Sequence, residues 1–444
     1  MDYPTYPRLH SRVNLPFRGR YSAARLETAE GDGGEEAGEE AGEEAGGADG
    51  QAENRLADSI VGRKQEGHRM PEQNLSRRRF LAAAGVSAGA VLLGCNLSNL
   101  SVGPTPTPDH SPAMPGPYQV SRVILGESGF PALQLNETDK SLFAGNAPEV
   151  PAKLLAAVYF PTSTVIPSPA RFNGALPLAE GVSSQFPLVF YGHAIRTENE
   201  PSAGHPRNRD FTTVDTILRH LASYGCVCLA PDLSWVSGRP TRVDWQLEAL
   251  VFLKYYQALA TTLNQQVFNN RVRLSSVVMV GHSHRAGSVV NAGRWLPLFE
   301  GPKPLAYGLI APEAGGDTDS DPTNVLVLGG TLDTQQFASP QGAFAKSAAP
   351  KTLVTIPGAN HFGYTDLVSP DNMAACNCAG GLINLFDNNG AISRADQQQT
   401  AAAFLATMTR YYALGEGPML DYLSGQRPIE GLNVTGVQIQ AQGI

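Results

Sequence analysis

Along residues 154–358 the chain alternates between short, almost uninterrupted apolar runs and longer stretches in which apolar residues recur at helical spacing. The runs are LLAAVYF (154–160), PLVFYG (187–192), CVCLAP (226–231), SVVMVG (276–281), LAYGLIAP (305–312), NVLVLGG (324–330) and TLVTIPG (352–358). Most show no polar/apolar alternation, so they read as strands covered on both faces. Between them, VDTILRHLASYG (214–225) ends on a glycine stop signal and VDWQLEALVFLKYYQALATTLN (243–264) carries a helical stripe. Strand–helix alternation of this kind predicts an α/β domain, a mostly parallel central sheet with helices on both faces. Ligands of such sheets bind at the carboxyl ends of the strands.

Composition changes the picture mainly before residue 118. Residues 31–47 repeat Glu-Glu-Ala-Gly, an acidic tract without aromatics that cannot bury enough apolar surface to fold, so 1–69 reads as a disordered acidic extension. Residues 70–95 have the order of an export signal. Ser76-Arg77-Arg78-Arg79-Phe80-Leu81 resembles a twin-arginine motif, a short apolar run follows, and Leu92-Leu93-Gly94-Cys95 resembles a bacterial lipobox whose cysteine is lipidated. Such a signal belongs at the start of a polypeptide, and Met70 supplies one, so residues 1–69 read as an upstream extension that the working protein can lack. The Pro-, Ser- and Thr-rich stretch 96–117 reads as a tether, and 118–444 as the folded domain. The protein is therefore expected in a bacterial cell envelope, anchored through Cys95 to the outer face of a membrane. Of the formal net charge of −8, residues 95–444 carry −5 (21 Lys and Arg against 26 Asp and Glu), a mildly acidic balance that argues against a nucleic-acid partner.

Of the remaining cysteines, Cys226 and Cys228 fall on one face of an apolar run and read as core thiols. Cys376 and Cys378 lie in a loop-like stretch, where a disulfide and free thiols stay equally open. Neither pair has metal-ligand spacing or a histidine nearby in sequence, so no metal is expected, and no cofactor.

The stretch GHSHRAG (281–287) stands between an apolar run and a helical pattern. A sharp strand–turn–helix connection would expose the hydroxyl of Ser283 above the sheet, with Gly281 leaving space for the turn. A serine needs a base to take its proton and a carboxylate to orient that base. Asp333, just past NVLVLGG, and His361, just past TLVTIPG, occupy later strand ends in the order Ser283, Asp333, His361. A tetrahedral oxyanion would be met by the backbone N–H of His284 and by an amide at His193 or Ala194, after PLVFYG.

These pieces together, FYGHA, LASYGCVCLAPD, GHS, LVLGGTLD and IPGANHFGYTD, resemble serine esterases of the α/β-hydrolase superfamily, in the branch with platelet-activating-factor acetylhydrolase-like, chlorophyllase-like and polyester-hydrolase-like enzymes. The resemblance covers roughly residues 150 to 412. It implies an α/β-hydrolase fold and cleavage of a small-molecule or lipid ester through an acyl-enzyme. Such families usually carry Gly-His-Ser-x-Gly-Gly, whereas this chain has Arg285 and Ala286 in the last two places. A buried guanidinium needs a partner, so Arg285 is expected to point outward and pair with Glu313 or Asp317. Trp235 reads equally as acyl-pocket lining, core or surface, and 362–395 as an insertion partly covering the site. Two other readings stand beside the esterase: a surface binding protein in which Arg285 marks a disabled elbow, and another triad hydrolase such as a peptidase or lactonase.

Overall fold

The computed structural model describes residues 110–143, 151–166, 171–172, 174–180, 184–194, 210–236, 242–313, 322–333, 338–361, 363–366 and 391–444. The acidic extension, the export signal with Cys95, residues 96–109 of the tether, Asp317, and most of the insertion expected over 362–395, with Cys376 and Cys378, lie outside these residues.

Within them the chain forms a nine-stranded mixed sheet in the order β1-β4-β6-β5-β7-β8-β9-β10-β11, with a separate two-stranded ladder of β2 (Leu133–Gln134) and β3 (Lys153–Leu154). Six central strands are parallel: β6 (Val227–Pro231), β5 (Phe186–Gly192), β7 (Val272–His282), β8 (Ala306–Ile310), β9 (Val325–Gly330) and β10 (Lys351–Ile356). Antiparallel strands flank them, β1 (Gln119–Leu125) and β4 (Ala156–Thr162) on one side and β11 (Gln438–Gln442) on the other. This is an α/β-type fold.

The missing alternation in the central strands follows from burial on both faces. Leu188 and Phe190 of β5 enter one core, with Val277 and Met279 of β7. That core is closed by α3 (Arg242–Ala258) and α5 (Arg285–Trp295), whose Phe252 and Val289 pack into it. Val189 and Tyr191 point the other way, with Val278 and Val280, under α2 (Asp215–Ser223) and α7 (Arg394–Tyr412). The helix expected over 243–264 continues past α3 through a π-turn at Leu259–Leu263 into α4 (Asn264–Phe268). A short helix, α1 (Glu137–Phe143), follows β2, and α6 (Ala338–Lys346) and α8 (Met419–Leu423) complete the set. No helix among the described residues is long and apolar enough to cross a membrane.

Cys226 and Cys228 are both fully buried free thiols in the second core, where burial pushes Cys226 up to about 12 and Cys228 well above its ordinary value. Both therefore stay protonated and unreactive. Residues 110–117, which composition assigns to the tether, are bonded to the folded body. Gly116 N–H donates to Ser223 Oγ, the Tyr224 hydroxyl to the Met114 carbonyl, and Ser111 Oγ to the Glu430 carbonyl. The folded body thus begins by residue 110, because backbone hydrogen bonds to α2 and the C-terminal region replace the apolar periodicity that the segment lacks.

Candidate active site

Strand register brings the expected residues to one level. Gly192 of β5 pairs with Gly281 of β7, His282 with Ile310 of β8, and Gly330 of β9 with Ile356 of β10. The segments carrying His193, Ser283, Asp333 and His361 therefore leave neighbouring strands at their carboxyl ends.

Ser283 sits in the turn from β7 to α5 with φ of 60°, a left-handed conformation that few non-glycine residues adopt. Its N–H bonds the Ile310 carbonyl at 2.9 Å, so the neighbouring strand holds the strained residue in place. A Cβ on Gly281 would lie 2.3 Å from the Arg285 carbonyl oxygen, which explains why glycine precedes this turn. Ser283 is partly accessible. His361 Nε2 lies 2.8 Å from Ser283 Oγ and its Nδ1 lies 2.8 Å from Asp333 Oδ2, with His361 and Asp333 both buried. The three expected side chains form one hydrogen-bonded line.

The loop after β5 is tied by His193. Its Nδ1–H donates to the Ala194 carbonyl at 2.9 Å while its Nε2 accepts from Leu233 N–H at 3.1 Å, which fixes a neutral tautomer. His284 caps α5, so its N–H belongs to the first-turn amides that have no intrahelical acceptor. The Trp245 indole N–H donates to His284 Nδ1 at 2.6 Å, and Glu313 Oε2 lies 3.0 Å from the same nitrogen. One imidazole nitrogen serves one of these at a time. Without a proton on Nδ1 it accepts from Trp245, and with one it donates to Glu313.

Arg285 overturns the outward orientation expected of it. It is 1% exposed, and its guanidinium pairs with Glu248 at 2.9 Å and donates to the Leu233 carbonyl at 3.0 Å. Glu248, itself 0% exposed on α3, also accepts from Ser288 Oγ. Glu313 is engaged with His284 instead. Space for the arginine comes from the adjacent strand, because a Cβ on Gly192 would stand 2.7 Å from the Arg285 Cβ. The guanidinium is thus carried away from Ser283 into the α3–α5 interface, where a carboxylate meets it.

Other side chains around the base were not singled out by the sequence. The Gln397 side chain, buried at the start of α7, accepts from Asn360 N–H at 3.1 Å and donates to the Asn360 carbonyl at 2.7 Å. His282 Nε2–H donates to the His361 carbonyl at 2.9 Å. Trp235 is half-buried, with its ring edge-on to Phe143 and its N–H on the Asp232 carbonyl. Among the described residues no group of three or more His, Cys, Asp or Glu side chains is placed to hold a metal ion.

None of the models of known protein families matches this chain, and none of the curated proteins matches it by sequence. The site is therefore read from its own geometry: an α/β protein with a strained serine joined to a histidine and an aspartate at the ends of parallel strands.

Proposed function

We propose that this protein is a serine hydrolase of the α/β-hydrolase type that cleaves carboxylic esters through an acyl-enzyme. The observation that carries the reading is the pair of 2.8 Å contacts linking Ser283 Oγ, His361 and Asp333, with the serine held at positive φ. In this reading Ser283 Oγ attacks the ester carbonyl carbon while His361 Nε2 takes its proton. Asp333 holds the Nδ1–H tautomer of His361 and offsets the positive charge that forms on the ring. The oxyanion is met by the His284 N–H and by an amide of the His193–Ala194 segment. Collapse expels the alcohol, which leaves with the proton from His361. Water then attacks the acyl-serine by the same base, releasing the carboxylic acid and restoring Ser283.

Retained chemistry is favoured over a disabled elbow because Arg285 is neutralised by Glu248 behind the turn, where it does not obstruct the Ser283 hydroxyl. Anchoring through Cys95 in a bacterial envelope belongs to the same proposal and rests on the order of arginines, apolar run and cysteine alone. Labelling with a fluorophosphonate tests the chemistry: wild-type protein should be modified at Ser283 and hydrolyse a nitrophenyl ester, and Ser283→Ala should do neither. A Ser283→Ala protein that keeps its activity refutes the mechanism, and an unlabelled wild type returns the protein to the binding-protein reading. Comparing esters with amides and lactones then separates an esterase from a peptidase or lactonase.

A further inference from the structure

The residue before the serine is bonded to the histidine that faces it. His282 is 0% exposed, and its Nε2 lies 2.9 Å from the His361 backbone carbonyl, an acceptor only, so the ring carries its proton on Nε2. Its Nδ1 faces the interior with no hydrogen-bond partner. The two rings lie with centroids 5.3 Å apart at 41°, and the buried ring of Tyr364 stands edge-on to His282 at 5.6 Å. A leucine would fill such a space without leaving a bare nitrogen in it, so the imidazole's distinct contribution here is its one donor. That donor ties the end of β7 to the loop after β10.

We propose that His282 is a positioning residue that sets the distance and angle of the His361 ring to Ser283 and Asp333 by holding the His361 carbonyl. The inference rests on the reading of Ser283 and His361 as nucleophile and base. Gln397 grips the preceding residue, Asn360, from the α7 side, so the base is fixed from two directions and its side chain projects from a clamped backbone. His282 also has to remain uncharged beside His361. Among the described residues, the titratable groups beside it are His361, His193 and Tyr364, whose ring stands edge-on to it, with Asp333 beyond His361. Burial holds the His282 imidazole well below the usual histidine range, and the neighbouring His361 and His193 act in the same direction. The proton leaving Ser283 therefore has one destination, the ring that Asp333 supports.

The test compares His282→Gln, whose amide nitrogen can occupy the position of Nε2, with His282→Asn, which is too short to reach it, and His282→Leu, which has no donor. Because a reacting group misplaced by about 1 Å costs about 100-fold, the Asn and Leu variants should lose about 10- to 100-fold in kcat with KM within about threefold. The Gln variant should recover to within about threefold of wild type. The Gln–Asn pair decides the question even if the Leu variant does not fold. Kinetics of Asn close to wild type, or of Gln no better than Asn, would overturn the proposal. The His361 Nδ1–H proton resonance, which reports the hydrogen bond to Asp333, provides a readout independent of turnover. If wild type does not react with a fluorophosphonate, the nucleophile reading fails, while a resonance displaced in Asn and restored in Gln still supports the anchoring role. A resonance that is the same in all the proteins overturns it.

Discussion

The two flanks of Ser283 are built on opposite electrostatic principles. On the α3–α5 flank a buried carboxylate and a buried guanidinium, Glu248 and Arg285, meet at 2.9 Å behind the turn. On the His361 flank the contacts that hold the loop are neutral: an imidazole on the His361 carbonyl and a carboxamide on both backbone groups of Asn360. A buried ion pair gives little net stability, because desolvation cancels most of the attraction, yet loss of either partner strands a charge. Neutral hydrogen bonds are individually modest and leave no charge behind when broken. The charged flank therefore accommodates an unusual side chain, whereas the neutral flank holds the backbone that carries the His361 ring.

The comparison can be broken most forcefully at the boundary between the flanks and the chemistry. Asp333→Asn should leave a folded protein whose kcat has dropped by about 10⁴-fold, because the amide favours the wrong histidine tautomer; steady-state kinetics beside a thermal melt would show this. On the charged flank, Glu248→Ala should cost about 3–5 kcal/mol in urea unfolding, since Arg285 is left buried without its carboxylate. Replacing the pair together, Glu248→Leu with Arg285→Met, should restore most of that loss and keep ester hydrolysis. A double variant as unstable as the single one would show that the ion pair itself sustains the fold. Gly192→Ala pushes a methyl group into the Arg285 Cβ and should cost about 1–3 kcal/mol by the same assay.

The smallest effect concerns pH. His282 is held well below the usual histidine range by burial, and His220 is lowered by burial against the opposing pull of the Pro112 carbonyl. Below about pH 6.5 the unfolded chain binds protons at these positions and the folded chain does not, so stability falls as pH falls. Each group adds a slope of up to about 1.4 kcal/mol per pH unit until its own folded value is reached. Melting temperatures between pH 7 and 5 should therefore fall less steeply in His282→Gln than in wild type, and parallel curves would contradict the assignment.

Much of this was legible in the sequence where residues repeat a local rule. The central strands are apolar on both faces, and Ser283, Asp333 and His361 each follow one of them, so pattern and chain order sufficed to bring them together. The two edge strands were not legible, although β4 beside one of them was: β1 alternates weakly and β11, Gln-Ile-Gln-Ala-Gln, is mostly exposed. Helix α7 was missed because its buried face is largely alanine, threonine and glutamine, which carry little hydrophobic contrast. Arg285 does not take the expected partner, Glu313 or Asp317 past a strand end, because it turns inward and meets Glu248 on an earlier helix. The signal available was the carboxylate of Glu248 set among the apolar residues of that helix, a position that requires a buried cation or hydrogen-bond donors. His282 and Gln397 left no such trace, because a hydrogen bond to a backbone carbonyl or amide requires nothing of the partner's sequence.

The docking of residues 110–117 has a practical consequence. Tyr118 N–H bonds the Ser223 carbonyl, at the end of the body where β6 begins, and Gln442 pairs with Lys351, where β10 begins. Both ends of the described chain therefore emerge beside the starts of the parallel strands, whereas Ser283 stands at their finishes. A bead, electrode or display scaffold joined through either end would meet the protein on its blind side and leave the serine turned toward the bulk liquid.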